Sequence, residues 1–129
     1  MEEKFNEATS QRKQGHILDA PLVTKNIPAF IEQLKQETTW KESDRNTITV
    51  FKTNGMRIVL IALHQGAEMA THTAKGIISV QVLEGQIKFI TEAQTAALNK
   101  GQMLTLHEGI AHSVLAIEET IFLLTLVTK

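Results

Sequence analysis

The C-terminal two-thirds of the chain decides the fold, above all through two segments, GAEMATHTAKGIISVQVLEG at residues 66–85 and GQMLTLHEGIAHSVLA at residues 101–116. Each segment holds short runs rich in β-branched and apolar residues that end at a glycine turn. Outside them, Asn54-Gly55 separates TITVFKT (47–53) from MRIVLIALH (56–64), and Glu84-Gly85 separates ISVQVL (78–83) from QIKFIT (86–91). Glycine adopts positive φ readily, so both dipeptides predict β-hairpins. Runs spaced roughly ten residues apart, without helices between them, predict at least seven strands in an antiparallel sandwich or barrel.

The N-terminal third has a different character and divides the chain. We assign residues 1–25 to an arm, residues 26–46 to a short helix and linker, and residues 47–129 to the β-barrel. Asn26 can cap a helix that has Pro28 in its first turn, with an apolar face formed by Phe30, Ile31 and Leu34. Residues 40–46 are polar and are interpreted as a turn. We expect deletion of residues 1–15 to leave the melting temperature nearly unchanged and Leu34→Asp to lower it.

Composition excludes several classes of function. The net charge is −1, and the six aromatic residues, five Phe and one Trp, include no Tyr, so nucleic-acid binding is not expected. The longest apolar run, Ile58–Leu63, is far shorter than the ~20 residues of a membrane helix, and the polar start is not a secretory signal. Without cysteine, disulfides, thiolate metal sites and cysteine nucleophiles are excluded. We therefore expect a soluble, cytoplasmic protein that binds neither nucleic acid nor membrane.

Two predicted strands carry apolar residues on both faces. A strand with one solvated face is polar at every second position, but residues 56–63 and 121–127 are apolar almost throughout, with Ile58, Leu60, Phe122 and Leu124 among them. The predicted helix can cover part of one outer face. A second subunit is the simplest cover for the remainder, so we predict a homodimer.

The glycine and histidine spacing resembles the two conserved motifs of the cupin superfamily. Gly66, five residues, His72 and later Gly85 match the first motif, and Gly101, five residues, the Glu108-Gly109 turn and His112 match the second. The resemblance covers about residues 47–127. It implies an all-β fold, the antiparallel double-stranded β-helix or jelly-roll barrel of cupins, here with one short N-terminal helix.

The same resemblance implies an incomplete metal site. Cupins usually place a second histidine where this chain has Ala74 and a glutamate where it has Ile78, while His107 and Ala116 replace the proline and asparagine of the second motif. Of the family's ligand positions, this leaves His72 and His112. Transition metals usually take three or more protein ligands. We therefore expect no cofactor, or at most one divalent transition metal (Zn, Fe, Mn or Ni).

The residues lost as ligands make the predicted cavity more apolar. Ile78, Val80 and Val82 share one face of a strand, and in a cupin-like barrel that face points inward. An apolar wall disfavours a bare cation. His72 and His112, with Ile78 and Val80 beside them, are thus the candidate ligand-binding residues, with both histidines able to hydrogen-bond a small polar or anionic ligand.

Three functions remain open. The first is a cupin domain that binds an unidentified small molecule without the usual complete metal site. The second is a metal-dependent enzyme of isomerase or dioxygenase type, in which His72 and His112 are joined by His64, His107, Glu68 or water. The third is an oligomerising module without small-molecule chemistry. His64 and His107 are expected to lie near the barrel rims as solvated side chains, Glu68 and Glu84 to be surface charges of turns, and Met69 and Met103 to be packing residues.

Overall fold

The computed structural model describes residue 12 and residues 16–128, and shows two antiparallel β-sheets with two short helices on one side. Its helices are α1 (Ile27–Gln36) and α2 (Thr38–Glu42). The strands are β1 (Arg45–Thr53), β2 (Met56–Leu63), β3 (Glu68–His72), β4 (Ile77–Glu84), β5 (Gln86–Thr91), β6 (Thr95–Asn99), β7 (Met103–Leu106), β8 (His112–Ala116) and β9 (Thr120–Val127). One sheet has the order β1-β2-β9-β4-β7 and the other the order β3-β8-β5-β6. This arrangement is consistent with the predicted double-stranded β-helix.

The inner faces of the two sheets enclose one apolar core. Along β4, Ile78, Val80 and Val82 are all buried, which confirms the predicted inward face of that strand. The opposite sheet contributes apolar residues from β3, β5, β6 and β8 to the same cluster. Phe122 and Leu124 also belong to it, so these two residues point inward and are not part of an outer surface.

The two helices cover part of the outer face of the larger sheet. The side chain of Asn26 accepts a hydrogen bond from Ala29 N (3.1 Å), which caps α1 as predicted. Leu34 is fully buried in a second apolar cluster with Leu60, and Phe30 and Ile31 pack against that cluster. Neither helix in the described part of the chain is long and apolar enough to cross a membrane.

Two elements differ from the sequence prediction. Residues 38–42 form α2, although the segment from Trp40 onward was expected to be a turn. Trp40 is 6% exposed and packs in the same cluster as Leu34, so burial of this side chain outweighs the weak helix propensity of a polar segment. β3 was not predicted, since only Met69 among its five residues is buried and its sequence carries no clear alternation.

Arg12, within the segment assigned to the arm, contacts Glu37 and the backbone of Thr47. Its guanidinium donates from Nε and Nη2 to the two carboxylate oxygens of Glu37 (3.0 Å each) and from Nη2 to the carbonyl of Thr47 (2.6 Å). Both side chains of the pair are 10% exposed. The other residues of the 1–15 segment lie outside the described part of the chain. Because deletion of residues 1–15 would remove this ion pair, the contact favours a lower melting temperature for the truncated chain, in contrast to the sequence-based prediction.

Candidate functional site

His72 and His112 lie opposite each other on neighbouring strands at the end of the smaller sheet. His72 ends β3, His112 begins β8, and the two are register partners. Their ring centroids are 4.4 Å apart. On its other side the His112 ring stacks on Phe89 of β5, with 5.1 Å between centroids and 13° between planes. The fold thus brings together two histidines that are 40 positions apart in the sequence.

Hydrogen bonds to the backbone set the tautomer of both imidazoles. His72 Nδ1 lies 2.7 Å from the carbonyl oxygen of Ala70, and His112 Nδ1 lies 2.9 Å from that of Ile110. A carbonyl oxygen only accepts, so each Nδ1 carries the proton and donates. Each Nε2 of the neutral ring is then a hydrogen-bond acceptor or a metal-binding atom. His72 Nε2 is buried, and His112 as a whole is 2% exposed.

Both rings line a small internal cavity. Its other walls are apolar and come from both sheets: Ile61, Met69, Ile78, Val80, Phe89, Val114, Phe122 and Leu124. The cavity holds about 10 Å³, the space of a single water molecule. A backbone hydrogen bond from Gly109 N to Ala74 O (3.0 Å) joins the two loops that follow β7 and β3. In this closed conformation the interior has no room for a metabolite, which ordinarily needs a pocket of roughly 300 Å³ or more.

The donor set at this place does not fit the metal site usual for the fold. Ala74 and Ile78, at two of the resembled ligand positions, are 4% and 1% exposed, and neither side chain can coordinate a cation. Across residue 12 and residues 16–128, no three His, Cys, Asp or Glu side chains come close enough together to hold a metal ion. Two imidazole nitrogens alone are fewer protein ligands than Zn, Fe, Mn or Ni sites ordinarily have.

The other residues considered as extra ligands lie apart from the histidine pair. His64 stacks on Trp40 (3.5 Å, 18°), and its Nε2 lies 2.9 Å from the Trp40 carbonyl oxygen. It is therefore a packing contact of α2, and the expectation of a merely solvated side chain is wrong. His107 and Glu68 are exposed, while Glu84 pairs with Lys35 (3.2 Å). Of the two methionines expected to be packing residues, Met69 lines the histidine cavity, whereas Met103 is exposed and does not pack in the core.

Phe89 is the site residue that sequence reasoning missed. Its ring supports His112 and walls the cavity. The alternation of Ile87 and Phe89 in the predicted strand 86–91 was a usable signal, because period-2 spacing places both side chains on one face. Both are buried in the core, as that alternation indicates.

The comparisons with known proteins find similar structures but no match to the sequence. No family model and no curated protein matches the sequence. A cupin-2 domain-containing protein from Shewanella frigidimarina matches with a TM-score of 0.64 and 17% identity over 80% of this chain and 93% of that one. A Streptococcus pyogenes protein of unknown function matches with a TM-score of 0.65 and 21% identity over 92% and 98%.

A longer enzyme contains the same fold. The salicylate 1,2-dioxygenase of Pseudoaminobacter salicylatoxidans, solved as adducts with gentisate, matches with a TM-score of 0.73 and 17% identity. The match covers 88% of this chain but 35% of the enzyme. At sequence identities of 17% and 21%, the similarity to these structures shows a shared fold and no more. Two antiparallel sheets with this strand order, and neighbours that are cupins, show that the chain has the fold of the cupin superfamily.

Proposed function

We propose that this chain is a cupin-domain protein that binds a small molecule in its interior through His72 and His112, without a complete metal site. The observation that carries the proposal is the pair of backbone-bonded imidazoles. Both rings donate from Nδ1 to a carbonyl, so both present Nε2 as an acceptor beside an otherwise apolar cavity. A few placed polar atoms within apolar walls are typical of small-molecule sites.

The lining defines the chemistry of the ligand. An imidazole Nε2 that accepts suits a hydroxyl or a carboxylic acid that donates a hydrogen bond to it. Phe89 and Phe122 supply aromatic walls that suit a planar apolar body. The ligand is therefore a small molecule with a planar apolar body and up to three hydroxyl or carboxyl groups. Gentisate, found with the dioxygenase that shares the fold, belongs to this chemical class.

Binding requires the interior to open. The cavity of about 10 Å³ admits one water molecule, so a larger ligand enters only when the loops after β3 and β7 separate. The hydrogen bond between Gly109 N and Ala74 O is a backbone contact between these loops.

Calorimetric titration with gentisate, salicylate and simple phenols tests the proposal. We expect saturable binding of at least one of them to the parent. His72→Phe and His112→Phe should weaken it by tenfold or more, because each replaces a buried acceptor by an apolar ring. His107→Phe is the matched control, since His107 is exposed and outside the cavity, and should bind as the parent does. Absence of binding to every member of the panel contradicts the proposal.

Elemental analysis decides between this proposal and the metal-dependent enzyme. Under the proposal, dialysed protein carries less than one transition metal per chain, because an incomplete set of ligands makes any site exchangeable. If the parent contains one metal ion per chain and both His72→Ala and His112→Ala lose it, the metal-dependent enzyme is favoured over the metal-free binding protein.

We also propose that two copies of the chain associate through the outer face of the larger sheet. The helices bury this face at Leu60, Ala62 and Ile121 and leave its other part exposed. Register places eight residues on that part, here called the uncovered half: Met56, Ile77, Ser79, Gln81, Met103, Thr105, Thr125 and Val127. None of the eight is charged. Such a face resembles the centre of a self-association interface, which is depleted in charge.

A further inference from the structure

A loop formed by residues 17–25 lies beside α1. Lys25 Nζ donates to the carbonyl oxygen of Ile17, which brings the two ends of this 17–25 loop together. Lys52 N of β1 donates to the carbonyl oxygen of Leu18 (3.1 Å), which fixes the loop to an edge strand of the larger sheet. The 17–25 loop forms neither helix nor strand, so these two hydrogen bonds hold an irregular segment next to the helix.

A groove of about 440 Å³ lies between the 17–25 loop and α1. That volume is within the range of small-molecule sites. Apolar side chains form half of the described lining residues and polar side chains form the other half: Ile17, Leu22, Val23, Ala29 and Phe30, with His16, Thr24, Lys25, Asn26 and Gln33. Ile17 and Leu22 are 64% and 84% exposed. An apolar ligand that covers these two side chains would gain the free energy of removing their surface from water.

Lys25 gives the groove a positive charge. Its Nζ lies 3.1 Å from His16 Nδ1 and 5.8 Å from the centre of the Phe30 ring. An ammonium group only donates, so the bonds to His16 Nδ1 and to the Ile17 carbonyl use two of its three N–H groups. None of the ion pairs of the described residues involves Lys25, and no lining residue in that part of the chain is a carboxylate. A carboxylate at Lys25 would therefore meet a positive charge and an N–H donor.

We propose that this groove binds a small amphipathic monocarboxylate, with its carboxylate on Lys25 and its apolar chain along Ile17 and Leu22. One lysine in a lining without carboxylates matches a single negative charge, and the apolar side chains match a hydrocarbon body. The groove shares no lining residue with the histidine cavity, so the two sites are separate. The inference therefore does not depend on the function proposed for that cavity.

Calorimetric titration with octanoate and with the uncharged 1-octanol, in a buffer of low ionic strength, tests this site. Octanoate should bind saturably, and Lys25→Met should weaken its binding tenfold or more, because methionine keeps an apolar stem but carries no charge. Octanol should bind both proteins alike. Lys41→Met is the matched control, since Lys41 is exposed on α2 and outside the groove. The proposal is overturned if octanoate does not bind, if it binds Lys25→Met as tightly as the parent, or if Lys25→Met loses both probes equally.

Two further variants locate the bound octanoate. Ala29→Leu places a larger side chain in the groove and keeps a good helix former, so octanoate binding should fall tenfold while the melting temperature stays near that of the parent. His72→Phe changes the histidine cavity and should leave octanoate binding unchanged. Loss of octanoate binding in His72→Phe, with full binding in Ala29→Leu, would assign the ligand to the cavity and contradict a site in the groove.

Discussion

Gly85 is a position where the backbone tolerates no side chain. Its φ is +88°, in the region that favours glycine, and it lies at the turn between β4 and β5. A Cβ built on it would lie 2.2 Å from the carbonyl oxygen of Glu119 and 2.6 Å from the side-chain oxygen of Thr120. The close approach of two backbone segments therefore excludes a methyl group, in addition to the unfavourable φ.

We predict that Gly85→Ala lowers the free energy of unfolding by about 3 kcal/mol, from backbone strain together with displacement of the 118–120 turn. Gly101→Ala is the matched control. Gly101 has the same φ of +88°, but a Cβ there would meet no atom within 4 Å. The control should lose about 1 kcal/mol, the strain of positive φ alone. Urea denaturation measures the free energy of unfolding of both variants. Equal losses would contradict the claim that the close contact with Glu119 adds to the cost of a side chain at position 85.

The histidine pair was predictable because the spacing of glycine and histidine identified positions 72 and 112. The backbone hydrogen bonds that hold those two rings could not be predicted from the sequence. The Nδ1 contacts depend on the carbonyls of Ala70 and Ile110, whose directions follow from local backbone conformation. The size of the cavity depends on how all ten lining side chains pack, which periodicity does not specify.

Helix α1 is joined to β1 and the N-terminal segment through Glu37. This residue follows α1, and its carboxylate accepts hydrogen bonds from Arg12, from Asn46 Nδ2 (2.9 Å) and from Gln33 Nε2 (3.1 Å). Burial opposes its ionisation. The hydrogen bonds from Arg12, Asn46 and Gln33 and the charge of Arg12 outweigh that effect and hold the pKa of Glu37 below its ordinary value.

We predict that Arg12→Ala lowers the free energy of unfolding by about 2 kcal/mol at neutral pH. Because the folded-state pKa of Glu37 is lowered, the contribution of its carboxylate is complete above the unfolded value of about 4.3. It is lost as pH falls through the lower folded value, so the difference between parent and variant should shrink in acid.

Lys35→Ala, which removes contacts to the half-exposed Glu84 and Glu119, is the control and should cost about 0.5 kcal/mol. Thermal unfolding from pH 7 to pH 3 gives both results, and a difference that grows in acid would contradict this account.

Local sequence pattern predicted two kinds of element. These are the strands that end at glycine turns, and helix α1 with its Asn26 cap and its row of apolar residues. α2 and β3 were not predicted, because their sequences carry no clear hydrophobic period and both elements are held by tertiary contacts. Helix α2 depends on the buried Trp40 and the His64 ring stacked on it. Strand β3 depends on pairing with β8. Short elements of this kind carry too few residues for periodicity to identify them.

The helices cover part of the outer face of the larger sheet, as expected. Of the residues named for the interface, Leu60 lies beneath the helices, and Ile58 packs against the same cluster. Phe122 and Leu124 face the interior, so none of the four named residues lies on the uncovered half. Apolar residues on both faces of a strand indicate that both faces are covered, but the pattern alone does not tell which residue faces which neighbour.

We predict that the parent is a dimer in light scattering at micromolar concentration and that Ile77→Glu makes it a monomer. Ile77 is 44% exposed and lies at one end of the cross-strand row Met56, Val127 and Ile77, so a charge there would be buried between two copies. Leu22→Glu is the control, because Leu22 is 84% exposed and lies outside the uncovered half. A monomeric parent, or equal dissociation of both variants, would contradict an interface at this face.

In the proposed complex, His72 and His112 contact the ligand through Nε2 while backbone carbonyls hold Nδ1. Nitrogen-15 NMR of the imidazole rings tests this arrangement, with gentisate or the strongest ligand of the panel added stepwise. We predict that both rings of the ligand-free protein show the Nδ1–H tautomer, and that the ligand shifts the Nε2 resonances of His72 and His112 while those of His107 stay unchanged. Saturable binding that leaves the Nε2 resonances of His72 and His112 in place would contradict the account.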